Sequence, residues 1–129
     1  MEIEHLAIWV DDIEIMRQFY LTYFDLTCGD RYVNEGKRFT SYFLTFSDGK
    51  SRIELMNRPD IQGAITARGF TKGIAHFAIS VGSIEVVNTM TERLRTDNYI
   101  VASEPRHTGD GYYESAILDP EGNYIEITC

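Results

Sequence analysis

Ile3-Glu4-His5-Leu6-Ala7-Ile8-Trp9-Val10 is restated 71 positions later as Ile74-Ala75-His76-Phe77-Ala78-Ile79-Ser80-Val81. Ile13-Glu14 recurs at the same offset as Ile84-Glu85, and Ile53-Glu54-Leu55 returns 72 residues on as Ile125-Glu126-Ile127. Both copies of the last segment follow a glycine, Gly49 or Gly122. Self-similarity at a fixed period fixes the architecture before any single residue is read. Each copy carries one histidine and one glutamate at matching places, so duplication yields a set of two His and two Glu.

Around these anchors the same order of elements can be read twice. Residues 4–10 have the β-branched and aromatic character of a strand. Asp11, three residues before Glu14, opens a helix with a cap-like pairing. Ile13, Met16, Tyr20 and Phe24 keep a helical stripe to about residue 23. Strands are expected at about 27–33, 39–46 and 51–56, separated by turns at Gly36 and Asp48-Gly49. In the second half a strand at about 73–81 leads to Ser83 as N-cap. A helix with Val87, Met90 and Leu94 on one face follows, running to about 97. Strands at about 100–105, 112–118 and 123–128 complete it, with turns at Gly109-Asp110-Gly111 and Asp119-Pro120-Glu121-Gly122. The expected fold is α+β, two tandem β-α-β-β-β modules at 1–57 and 73–129 joined by a connection at 58–72, all in one compact domain.

Composition narrows the class. A 129-residue chain with 43% hydrophobic and 25% charged residues is ordinary for a globular protein, and no apolar run approaches the length of a membrane span. The acidic start runs straight into strand-like sequence with no signal-peptide pattern, so the cytoplasm is the expected compartment. Cys28 and Cys129 are expected to be free thiols. A formal net charge of −8 argues against nucleic acid as partner. Local basic spots remain: Lys37 and Arg38 are adjacent, and Arg58, Arg68 and Lys72 share one stretch.

Strand parity puts the four repeated residues on one kind of face. Leu6, Ile8 and Val10 suit packing under the following helix, which leaves His5, Ala7 and Trp9 on the other side. Phe77, Ile79 and Val81 likewise oppose His76, Ala78 and Ser80. Glu54 lies between Ile53 and Leu55 and Glu126 between Ile125 and Ile127, so both glutamates point away from the aliphatic side. Two imidazoles and two carboxylates suit a divalent cation such as zinc, nickel, cobalt or manganese, with iron less favoured. The carboxylates offset its charge, and two positions of a six-coordinate ion stay open for water or substrate oxygens. His107, in Arg106-His107-Thr108-Gly109, has no counterpart in the first half and reads as a loop residue.

With these residues in place, the chain resembles the vicinal oxygen chelate superfamily of glyoxalase I, methylmalonyl-CoA epimerase, fosfomycin-resistance proteins and extradiol dioxygenases. The resemblance spans essentially the whole chain. Tyr112-Tyr113-Glu114-Ser115 and Leu118-Asp119-Pro120-Glu121-Gly122-Asn123-Tyr124-Ile125-Glu126 are similar to its C-terminal signature. It implies sheets curled into a cup around a metal, with His5, Glu54, His76 and Glu126 as ligands. Among members, a His/Glu/His/Glu set is most similar to glyoxalase I, a metal-dependent lyase that moves a proton between adjacent carbons of a small substrate through a metal-bound enediolate. By that resemblance Glu126 is the candidate base and Glu54 its counterpart. It also implies a homodimer, with metal sites that in glyoxalase I draw ligands from both chains.

One departure stands out. Glutathione-using glyoxalase I carries an Arg four residues after the first His to grip the tripeptide's carboxylate, where this chain has Trp9. Asn57 and Arg58 are candidates for part of that task, and Trp9, Phe43, Tyr112 or Tyr113 for an aromatic lining of the substrate site. Competing readings are a metal-free ligand-binding or drug-sequestering module of the same fold, an epimerase, and a dioxygenase. The intact four-residue set argues against the metal-free module, and the fourth carboxylate against the dioxygenase.

Overall fold

The computed structural model describes residues 3–63 and 68–129, so residues 64–67 of the expected connection lie outside it. The chain divides into two compact units, Met1–Gly63 and Ala64–Cys129. The fold is α+β; among the described residues each unit has one sheet and one α-helix in the order strand, helix, strands, and the first unit carries one strand more than the second.

In the first unit β1 (His5–Trp9) leads into α1 (Ile13–Tyr23), followed by β2 (Leu26–Cys28), β3 (Tyr32–Asn34), β4 (Phe39–Phe46) and β5 (Arg52–Asn57). The sheet order is β1-β5-β4-β2, with β3 also on β4; β1 runs parallel to β5 and the other pairs are antiparallel. Ile13, Met16, Tyr20 and Phe24, the stripe expected of the helix, are all buried, together with Phe19. They share the core with Leu44, Ile53 and Leu55 from the helix side of the sheet. The helix is capped by Asp12 rather than Asp11: the Asp12 carboxylate accepts from the amides of Glu14 and Ile15 at 3.1 and 3.0 Å. Its extended backbone, one residue before the first helical one, gives it the reach that Asp11 lacks.

The strand expected at 27–33 is broken in two. Cys28 pairs with Leu44 and Tyr32 with Ser41, so three residues on one side oppose two on the other. Gly29 supplies the bend, its amide bonded to the Phe43 carbonyl at 3.1 Å. A single 3₁₀ turn at Glu35–Lys37 then joins β3 to β4.

In the second unit β6 (Phe77–Ser80), α2 (Ile84–Thr96), β7 (Val101–His107), β8 (Tyr113–Leu118) and β9 (Tyr124–Thr128) form a sheet of order β6-β9-β8-β7. Ser83 caps α2 as expected, accepting from the Val86 amide. The buried face of α2 is Val87, Thr91 and Leu94, with Met90 half-buried beside them. Thr91 is admitted because its hydroxyl bonds the Val87 carbonyl and the Ser115 hydroxyl of β8, both at 2.7 Å. Edge strand β7 shifts register twice against β8, and Pro105 falls in the second shift, where no ladder amide is needed. His107 is the last residue of β7, opposite Tyr113, rather than in a loop. The expected strand at 73–81 starts only at Phe77, because β9 begins at Tyr124 and supplies ladder pairing from Ile125 onward. The Asp119 turn is tied by that carboxylate, which accepts from the amides of Glu121 and Asn123 and from the Asn123 side chain. Both cysteines are free thiols. Among the described residues no helix is long and apolar enough to cross a membrane.

Candidate metal-binding site

Each sheet brings its own histidine and glutamate together by the same register. Ala7 of β1 pairs with Glu54 of β5, and Ala78 of β6 pairs with Glu126 of β9. In both units the histidine lies two residues before that alanine, hence on the same face and diagonal to the glutamate. The small alanine directly beside each carboxylate leaves room next to it. On the other flank Glu54 has Phe43, and Glu126 has Ala116.

The pairs are close. His5 Nε2 is 3.8 Å from Glu54 Oε2, and His76 Nε2 is 3.2 Å from Glu126 Oε2. The glutamate side chains are 15% and 22% exposed and the imidazoles 37% and 47%, so the carboxylates are the more recessed members. Two donors at about 2.1 Å from one tetrahedral or octahedral ion stand roughly 3.0–3.4 Å apart. The second pair falls in that range and the first exceeds it by a few tenths of an ångström. Among the described residues no group of three or more His, Cys, Asp or Glu side chains gathers at one point; the structure supplies them as pairs.

The first pair has supports that the sequence reading missed. Glu4 bonds His5 Nδ1 and also holds the Arg52 guanidinium. A carboxylate on Nδ1 orients the imidazole with Nε2 toward Glu54, the kind of outer support that ligating histidines commonly have. These bonds, that from His5 foremost, draw the Glu4 carboxyl below its ordinary range. The Phe43 ring meets His5 edge-on at 5.5 Å, and Arg52 lies over Phe43 at 4.1 Å. Glu4 adjoins His5 in sequence and Arg52 is its ladder partner, so the signal was local charge alternation around the histidine. In the second unit the place of Arg52 is taken by Tyr124, whose ring meets Phe70 at 5.6 Å. Gly69 is required there: its φ is +84°, and a Cβ would lie 2.9 Å from both the Ala75 carbonyl and the Tyr124 ring.

The residues proposed for substrate contact are distributed unevenly. Trp9 shares the His5 face, meets Phe39 edge-on at 6.1 Å and carries the Arg58 guanidinium 5.8 Å from its ring centre. Phe43 is on that face as well. The Asn57 amide donates to the carbonyls of Val10 and Asp11 at 2.8 and 3.0 Å, tying the end of β5 to the turn after β1. Arg58 pairs with Asp60 at 2.6 and 3.0 Å. Tyr112 is exposed in the turn before β8. Tyr113 corrects the aromatic lining: it alternates with Glu114 and Ala116, so it lies on the helix side, where its hydroxyl donates to Asn88 of α2 at 2.9 Å. Burial pushes the Cys28 thiol above its ordinary value, which disfavours a nucleophilic role.

Comparison with known proteins bears on the fold and the family. The model of the Glyoxalase/Bleomycin resistance protein/Dioxygenase superfamily matches residues 2–127. The chain belongs to that superfamily. A glyoxalase/bleomycin resistance protein/dioxygenase domain from Frankia sp. superposes with a TM-score of 0.84 at 16% identity, covering 99% of this chain and 96% of that one. A glyoxalase family protein from Bacillus cereus gives 0.80 at 19% identity, covering 99% and 93%. The trypanothione-dependent glyoxalase I of Leishmania major gives 0.77 at 19% identity, covering 98% and 85%. At these identities the likeness is one of fold. No curated protein matches the chain.

Proposed function

We propose that this superfamily member is a metal-dependent lyase or isomerase of the glyoxalase I kind, with His5, Glu54, His76 and Glu126 as ligands of one divalent cation. The observation that carries the reading is the repeated register, Ala7 against Glu54 and Ala78 against Glu126, each with a histidine two residues earlier. Residues solvated for no purpose have no reason to recur in register on both sheets. A bound cation would polarise neighbouring substrate oxygens and make the adjacent C–H more acidic. Glu126 takes that proton from one carbon while the bonding pair moves into the neighbouring carbonyl, giving the enediolate form of the substrate. The same carboxylic acid, or Glu54 on the other side, returns a proton to the adjacent carbon, as the hydroxyl proton of the first carbon passes to the oxygen of the second. The step is redox-neutral overall and needs no further reactant. The protein acts on a small oxygenated substrate, works as a homodimer and resides in the cytoplasm.

Metal analysis of the purified protein tests the ligand set, with a turnover screen over hemithioacetals of several thiols, acyl-CoA epimers and fosfomycin-like epoxides. One equivalent of zinc, nickel, cobalt or manganese is expected, and its loss in His76→Ala and in Glu126→Ala. Full metal content in either variant removes that residue from the set. A parent protein that takes up no metal overturns the reading and leaves a binding module.

A further inference from the structure

The two histidine–glutamate pairs are held by different means. In the first unit the ladder begins at the histidine itself: His5 lies opposite Arg52, whose amide donates to the Glu4 carbonyl at 3.2 Å, and the Glu4 side chain supports the ring. In the second unit pairing begins one residue later, at Phe77 against Ile125, and the residue before His76 is Ala75, which offers no carboxylate. His76 nevertheless stands 3.2 Å from Glu126, the pair whose spacing suits a shared ion. Something other than the ladder keeps it there.

The segment Arg68-Gly69-Phe70 touches the chain beside both members of that pair. Arg68 donates to the Asn123 side-chain oxygen at 2.7 Å and reaches the Glu121 carboxylate at 3.5 Å, which fixes it on the turn leading into β9. Gly69 is wedged between the Ala75 carbonyl, next to His76, and the ring of Tyr124, two residues before Glu126 on the same face. Phe70 closes the contact edge-on to Tyr124. It is 75% exposed, too open to serve the core, so its packing on Tyr124 is a local contact.

We propose that Arg68, Gly69 and Phe70 form a clamp that positions His76 and Glu126 for their shared ligand, acting through Ala75 and Tyr124. This extends the reading of the previous subsection and rests on it in taking the pair as metal ligands. Such ligands must be held to within about 0.5 Å of the productive geometry. The duplication thus keeps the ligands and exchanges their supports, Glu4 and Arg52 in one half and the clamp in the other.

The chain has three histidines, so protein labelled with ¹⁵N-histidine gives three imidazole signals that report each position without metal. In chelator-treated protein Arg68→Gln, Gly69→Ala and Phe70→Ala should each shift or broaden the His76 signal and leave those of His5 and His107 in place. Gly69→Ala introduces a clash at a φ of +84°, and where it fails to fold, Arg68→Gln and the exposed Phe70→Ala carry the test. Affinity for zinc, by competition with a chromophoric chelator, should fall about tenfold or more in these variants. Arg68→Lys should recover part of it by keeping a cation beside Asn123 and Glu121. A His76 signal unmoved in both Arg68→Gln and Phe70→Ala, or one that moves only together with that of His5, overturns the clamp. Zinc affinity unchanged in every variant of a parent that binds zinc overturns it as well. A parent that binds no zinc sinks the catalytic reading alone, because the ring signals are read on metal-free protein.

Discussion

At His5, Glu4 holds Nδ1 while Nε2 faces Glu54, Phe43 stands edge-on to the ring, and Arg52 stacks on Phe43. Glu126 has alanines on both flanks, Ala78 and Ala116. A carboxylate that must swing to a substrate carbon and back needs that lateral space, which is a physical reason to place the base at Glu126 and the better-anchored pair at Glu54. Glu126→Gln keeps an oxygen donor and removes the basicity, so it should lower turnover about 10²- to 10⁴-fold. Steady-state kinetics beside a metal assay would check this, and turnover within tenfold of the parent would remove Glu126 as base. A second prediction concerns stability. The Tyr42 hydroxyl donates to Glu14 at 2.9 Å, and this bond, ahead of Arg17, lowers the Glu14 carboxyl from its ordinary value of 4.5. A depressed carboxyl stabilises the fold above its unfolded value, and that contribution is lost as pH falls through the folded one. Tyr42→Phe should therefore cost about 1 kcal/mol or less at pH 7, the pair being exposed, with the difference shrinking as acid protonates Glu14. Urea melts at pH 7 and in acid would read it; a pH-independent difference would show that Tyr42 acts through packing alone.

At the scale of elements, α2 is fastened to its sheet by a polar contact inside the core. Thr91 and Ser115 are fully buried and bond each other at 2.7 Å. Thr91→Val leaves the Ser115 hydroxyl without that partner and should cost about 1–3 kcal/mol, whereas adding Ser115→Ala should recover part of the loss. Additive losses in a denaturation cycle would mean the two hydroxyls do not act as a pair. This contact also marks where the sequence stopped being legible. Periodicity expected Met90 on the buried face, and no hydropathy rule foresees Thr91 there, because its burial depends on a partner 24 residues away. Short-range patterns were read correctly: the α1 stripe from Ile13 to Phe24 is buried, and alternation put His5, Glu54 and Glu126 on the face opposite the core residues Ile53, Leu55, Ile125 and Ile127. Patterns set by pairing were not. The break at Gly29 of the strand expected at 27–33 and the turn of Tyr113 toward Asn88 are decided by register against β4 and β9. A one-residue slip reverses every face, and the residues themselves carry no mark of it.

For the whole molecule, the proposed ligand set predicts a coupling between metal and fold. Each half presents one recessed carboxylate within 4 Å of an imidazole, and the repeat of that geometry is what makes two pairs read as one ligand set. Ligands of a divalent ion are organised only in the folded chain, so bound metal stabilises that state by mass action, about 2.7 kcal/mol when free metal exceeds its dissociation constant a hundredfold. Chelation should therefore lower the melting temperature by several degrees, and added zinc, nickel, cobalt or manganese should restore it. The same series on His5→Ala, Glu54→Ala, His76→Ala and Glu126→Ala divides the readings. If all four donors serve one ion, each variant should lose most of the metal-dependent shift, since a missing ligand in either half weakens the same site. If each pair bound metal alone, a substitution in one half would leave the other half's shift intact. A melting temperature indifferent to both chelator and metal would remove the ion from the molecule's design and with it the case for proton transfer at Glu126.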